Sequence, residues 1–190
     1  MKKICLVLSL TLLLTVGVLA EDFRNINWGM SVGEVKGIEE TVALDESESG
    51  LLYNATIDNK NFKLVYHFKE NKLYKATYVY SENVLNNVQY YLDYKIFQDM
   101  LTEKYGEPTY KKEMWLRDLY KGDIQYYGTA VRLGHVVFQT DWENESTQIQ
   151  MNLIGTKSGI MFPIQYTSKE YAYLEEEEEE ESKQKDQNQL

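Results

Sequence analysis

The chain has 190 residues, a net charge of −10 and a single cysteine, Cys5. Acidic residues outnumber basic ones and no basic stretch occurs, which argues against nucleic acid or an anionic membrane surface as partner, since both are held by clustered Lys and Arg. With its one thiol inside an apolar N-terminal run, the rest of the chain has no disulfide and no Cys-based metal site, and must be held by its core alone.

Met1-Lys2-Lys3 followed by the apolar run Ile4–Val18 and then Leu19-Ala20 predicts a secretory signal over 1–20, cleaved after Ala20. The expected destination is the periplasm or the medium. The run is short for a membrane span, and no cysteine stands at the cleavage point to carry a lipid. Residues 21–174 are expected to form one folded unit, with 21–82 and 83–174 as its two halves, and 175–190 a disordered acidic tail.

Ser31-Val32-Gly33-Glu34 has the form of a capping box, with Met30 and Val35 placed as a hydrophobic staple, and predicts a short helix interrupted at Gly37. Asp45 to Gly50 reads as a polar loop and Leu51–Ile57 as a strand. After the turn Asp58-Asn59-Lys60-Asn61, Phe62, Leu64, Tyr66 and Phe68 alternate with polar residues. Glu70-Asn71 supplies a turn, and Tyr74, Ala76, Tyr78 and Tyr80 form the second apolar set of an antiparallel hairpin. Leu92, Ile96, Phe97, Met100 and Leu101 then recur at helical spacing, with Asp93, Gln98, Asp99 and Glu103 between them. This predicts a helix over 88–105, stopped at Gly106 and Pro108, whose apolar stripe covers the sheet.

Further strands are expected at 114–120, 124–127, 136–142, 149–153 and 160–166, mostly by alternation. Thr167-Ser168-Lys169-Glu170 matches a second capping box and predicts a terminal helix over 168–174. Seven consecutive glutamates from Glu175 repel one another at every helical turn and favour a solvated tail, which solubilises the protein or holds divalent cations or a basic partner. The fold class is α+β: an antiparallel sheet, or sheets, covered by one long and one short helix, with an element order that suggests two related α-β halves.

The start Phe23-Arg24-Asn25-Ile26-Asn27-Trp28-Gly29-Met30-Ser31 and the helix end Lys104-Tyr105-Gly106-Glu107-Pro108 resemble the helix-plus-antiparallel-sheet units of BamE-like outer-membrane assembly lipoproteins and of β-lactamase inhibitor proteins. The resemblance covers about a quarter of the chain. It implies a non-catalytic protein that acts by binding another protein, and it carries no binding residue over to a position here.

Two histidines, His67 and His135, fall by parity on the polar sides of their strands, the ordinary place for an exposed strand histidine; a metal or acid–base role would need them to converge on carboxylates. Asp141 and Glu143 flank Trp142 on one strand face, about 7 Å apart from the strand rise, and paired carboxylates beside an aromatic are the equipment of glycoside hydrolysis. Trp115 and Trp142 are candidate stacking faces for a sugar, as are the sixteen tyrosines, although a tyrosine ring more often covers a core while its hydroxyl reaches water. No serine elbow, phosphate loop, dinucleotide fingerprint or zinc-protease helix occurs, and Asp58-Asn59-Lys60-Asn61 is too short for a calcium loop. The expected function is therefore that of an exported, non-catalytic binding module acting on another envelope or extracellular protein through an edge strand or the aromatic sheet face. A carbohydrate or small-ligand binder is the alternative, and a hydrolase using Asp141 and Glu143 comes third. No metal, cofactor or catalytic residue is implied.

Overall fold

The computed structural model describes residues 22–175 and 177; the predicted signal and most of the acidic run lie outside them. The fold is α+β, as the alternation predicts. Nine antiparallel strands form one sheet: β1 (Asp45–Glu46), β2 (Gly50–Ile57), β3 (Lys60–Lys69), β4 (Lys72–Tyr80), β5 (Tyr110–Trp115), β6 (Val136–Glu143), β7 (Thr147–Thr156), β8 (Gly159–Met161) and β9 (Pro163–Ser168). Their spatial order is β1-β2-β3-β4-β9-β7-β6-β5, with β8 paired to the far half of β7. The last strand thus sits mid-sheet, between two groups of strands that precede it in the chain. One buried cluster runs from Phe23 to Tyr166 beneath both groups.

Local chemistry sets the hairpins. Asp58-Asn59 and Glu70-Asn71 all take positive φ, the pair of left-handed residues that matches strand twist in two-residue hairpins. Asn144 closes the β6–β7 turn by accepting from the backbone N–H groups of Ser146 and Thr147. The first helix, α1 (Val32–Ile38), carries the predicted capping box in full and runs through Gly37.

Several elements differ from expectation. Helix α2 (Val88–Tyr105) has the predicted bounds but is rotated about its axis. Tyr91, Tyr94, Phe97 and Leu101 face the core, whereas Leu92, Ile96 and Met100 lie on the exposed side. The tyrosines bury more ring area than the aliphatics they displace, and Asp93 and Gln98 can follow them inward because each finds partners. Asp93 accepts from the Tyr80 hydroxyl, from Gln89 at 2.9 Å and from Lys60 at 3.1 Å. Gln98 donates to Thr140 at 2.6 Å, and Tyr94 bonds the same hydroxyl.

In β4, a bulge opposite His67 puts Leu73, not Tyr74, in the core set and turns Tyr74 to the other face beside His67. The strand expected over 114–120 ends at Trp115, and the one expected over 124–127 is helical: a short 3-10 turn, Ile124–Tyr126, leads into helix α3 (Tyr127–Arg132). Asp123 starts this turn by accepting from the Gln125 N–H, and the bonding leaves Ile124 and Tyr126 outside the core.

Helix α3 is wedged between α2 and β7 by two glycines. A Cβ on Gly128 would overlap the carbonyl of Asn87, and one on Gly155 would overlap the carbonyl of Val131. Gly155→Ala should therefore destabilise by about 1–3 kcal/mol through forced overpacking, whereas Gly33→Ala, in open space on α1, should stabilise by about 0.5–1 kcal/mol. Denaturant unfolding of the two variants checks the contrast; equal midpoints would refute the wedge. Truncating Phe97, 3% exposed between α2 and the sheet, to Ala should cost about 3–5 kcal/mol by the same measurement.

Candidate functional site

Helices and the N-terminal segment cover one face of the sheet; the opposite face is polar and follows strand register. One row across it runs Asp141, Gln150, Gln165, Thr77 and Val65 on β6, β7, β9, β4 and β3. The adjacent row runs Glu143, Gln148, Thr167, Lys75 and His67 on the same strands. The second row changes from acidic Glu143 at β6, through an amide and a hydroxyl, to Lys75 at β4, while the first passes from Asp141 through amides to Thr77 and Val65. Neighbouring groups restrain one another: Gln139 donates to Asp141 at 2.8 Å, Asn152 to Gln150 at 3.0 Å, and Gln165 to Thr167 at 3.1 Å.

Across this face lies the chain's own C-terminal segment. Ser168 Oγ, at the end of β9, accepts from the Tyr171 N–H, and helical backbone follows at 173–175 rather than over the predicted 168–174. Leu174 is fully buried but stands outside the core cluster. Glu175 accepts from Lys75 at 2.9 Å and from Gln165 at 3.2 Å, and Glu177 pairs with Lys69 at 3.4 Å. The tail expected to leave the fold at Glu175 therefore begins by docking, because lysines of β3 and β4 offset the repulsion among its glutamates. Beside Glu175 an open cavity of about 470 Å³ is lined by Thr109, Asp141, Glu143, Gln150 and Gln165. Burial pushes the Asp141 carboxyl above its usual range, against the pull of the Gln139 and Gln150 amides.

The structure places only part of the sequence-derived site here. Asp141 and Glu143 do share the polar face, and Glu143 is held by Lys169 at 2.8 Å. Trp142 points the other way and is 1% exposed, buried beneath the helices. Trp115 lies at the end of edge strand β5, half-buried, its ring edge-on to Tyr127 at 5.3 Å, and its indole N–H donates to Glu113. The two tryptophans and the two carboxylates thus form no common platform. The aromatic face of the sheet is core. His135 is not the exposed strand histidine that parity predicts: it precedes β6, is buried against the Tyr120 ring, and its Nδ1 has no partner. His67 is half-buried beside Thr77. Among the described residues no group of three His, Cys, Asp or Glu is arranged to hold a metal ion.

Sequence reasoning missed one charged cluster on the helical face. Glu39, just past α1, is 7% exposed at its side chain, pairs with Arg24 at 3.3 Å and accepts from the Tyr66 hydroxyl. Both ionic residues sit in polar runs with no periodicity to mark them. Set against models of protein families, curated proteins and solved structures, the chain finds no match in any of the three.

The raised Asp141 gives a pH-dependent expectation. A carboxyl whose folded pKa exceeds its unfolded value opposes folding increasingly as pH rises between the two, and by a constant amount above them. Asp141→Asn should therefore be at least as stable as wild type at pH 7, and its advantage should shrink to nothing as pH falls through the carboxylate range. Thermal melts at pH 3 to 7 check this; a variant less stable at pH 7 than wild type would show the charge to be favourable where it sits.

Proposed function

We propose that the protein is an exported, non-catalytic binding module whose open sheet face takes acidic segments of another protein. The observation that carries this reading is the docked C-terminal segment: a buried leucine followed by glutamates paired to Lys75 and Lys69. Lys75 and Glu175 are mostly shielded from water, at 14% and 25% side-chain exposure. Shielding strengthens such a pair relative to an exposed one. A partner with a hydrophobic residue ahead of an acidic run would meet the same groups. In this reading the chain's own segment is an intramolecular competitor that sets a threshold for the partner. The expectation of export rests on the basic start and apolar run of residues 1–20.

A labelled peptide of residues 171–181 added to a chain ending at Tyr173 tests the reading by fluorescence anisotropy. The shortened chain should bind the peptide, the full chain should bind it about tenfold more weakly, and Lys75→Glu in the shortened chain should weaken it at least as much, with affinity falling as salt rises. An absence of binding, or affinity indifferent to Lys75→Glu, would refute the acidic-segment reading.

A further inference from the structure

The helical side of the molecule holds a second concavity, remote in kind from the polar face. Between the N-terminal segment and the C-terminal half of α2 lies a cavity of about 230 Å³, walled by Phe23, Leu101, Ile164, Tyr105 and Tyr166. Most of these walls are buried core side chains. Two cations, Arg24 and Lys104, border it. Arg24 holds Glu39 on one side, and its guanidinium, with five donors in a planar fork, keeps 42% of its side chain exposed. The Lys104 ammonium lies over the Tyr105 ring at 4.9 Å, and among the described residues no carboxylate pairs with it.

Two of the phenols nearby, Tyr78 and Tyr166, are held neutral. Burial holds Tyr166 well above the ordinary tyrosine range and pushes Tyr78 up to about 12, the latter against the effect of Arg24. At neutral pH the cavity therefore presents apolar rings, hydroxyl groups and the Lys104 charge, the Arg24 charge being offset by Glu39. Ligand sites are typically of this kind, mostly apolar with few polar groups that fix orientation. The volume exceeds the roughly 150 Å³ of an apolar cavity that accepts benzene, so it admits one ring or a short acyl chain.

We propose that this cavity binds a small amphiphilic carboxylate, its apolar body against Phe23, Leu101 and Tyr166 and its carboxylate toward Lys104 and Arg24. Charge complementarity decides the class: Lys104, with no carboxylate paired to it among the described residues, attracts an anion and repels an ammonium ligand, and Arg24 keeps exposed donors beyond its pair with Glu39. Whether the natural ligand is an aryl acid or a fatty acid, the recognised chemistry is the same, and the lengths of the probes separate them.

Sodium octanoate, 1-octanol and sodium phenylacetate are titrated into the full chain, with binding read by calorimetry and by tyrosine ring chemical shifts. Octanoate should bind one to one and about tenfold more tightly than octanol, the factor expected of a charge-assisted hydrogen bond; phenylacetate binding more tightly than octanoate would indicate an aryl acid, and the reverse a fatty acid. Lys104→Met, at an exposed position, should bring octanoate down to the affinity of octanol while leaving octanol unchanged. Met100→Trp, which borders the cavity from the exposed side of α2, should exclude all three. Equal affinities for octanoate and octanol, binding of the acids that ignores Lys104→Met or Met100→Trp, or no binding of any probe at millimolar concentration would each overturn the assignment.

Discussion

The pairing of β9 with both β4 and β7 is the constraint on which the rest of the molecule depends. Without it, two groups of strands would each present a long unpaired edge at the middle of the sheet. With it, Ala76, Tyr78, Ile164, Tyr166, Ile149 and Met151 become neighbours across three strands, and one core replaces two. These are contacts of high sequence separation between β4 and β9, so the continuous sheet is a late, non-local product of folding. Placing β9 centrally also fixes the polar face. Its Gln165 and Thr167 complete the two rows that join β6 to β3. It then delivers the chain directly onto that face, where Glu175 meets Lys75.

Strand positions were legible in the sequence wherever one face is dry. The sets Phe62 to Phe68, Val136 to Trp142 and Ile149 to Leu153 alternate because every second residue is buried. The turn at Glu70-Asn71 announced itself by residue type. Helix α2 was legible in extent but not in phase, since an apolar-stripe argument weights Leu92, Ile96 and Met100 above Tyr91 and Tyr94. The true face includes Asp93, whose burial depends on Lys60 and Tyr80 from distant strands, and no local pattern encodes such a partner. The bulge that moves Tyr74 was likewise invisible, because β4 alone does not state which residue opposes His67.

The candidate site divides in the same way. Asp141 and Glu143 share a face by strand parity, which a sequence shows directly. That Trp142 is lost to the core follows from the same parity once the dry face is known. The docked glutamates could not be read, because an isolated acidic run is self-repelling and only tertiary lysines reverse that balance. Buried ionic groups recur where the layers meet: Asp93 with Lys60 at the start of α2, and Glu39 with Arg24 beside the cavity. Each is completed by a tyrosine hydroxyl. Part of the chain's tyrosine content thus answers a need that phenylalanine could not meet, a ring for the core that also carries a donor for a dehydrated carboxylate.

The two outer strands of the sheet bear on how copies of the protein meet one another. One rim is β1, two residues long and acidic, Asp45-Glu46; the other is β5, six residues long and net positive, with Lys111 and Lys112 against Glu113. Rims of opposite sign attract, and a head-to-tail stack built on them would have no rotation to close it, the geometry of a growing fibre. Length is what stands against this. β1 pairs only with Leu51 and Leu52 of β2, and its two residues give an incoming β5 almost no ladder to extend. An insertion that lengthened β1 into a regular strand would remove that brake and leave the charge attraction in place.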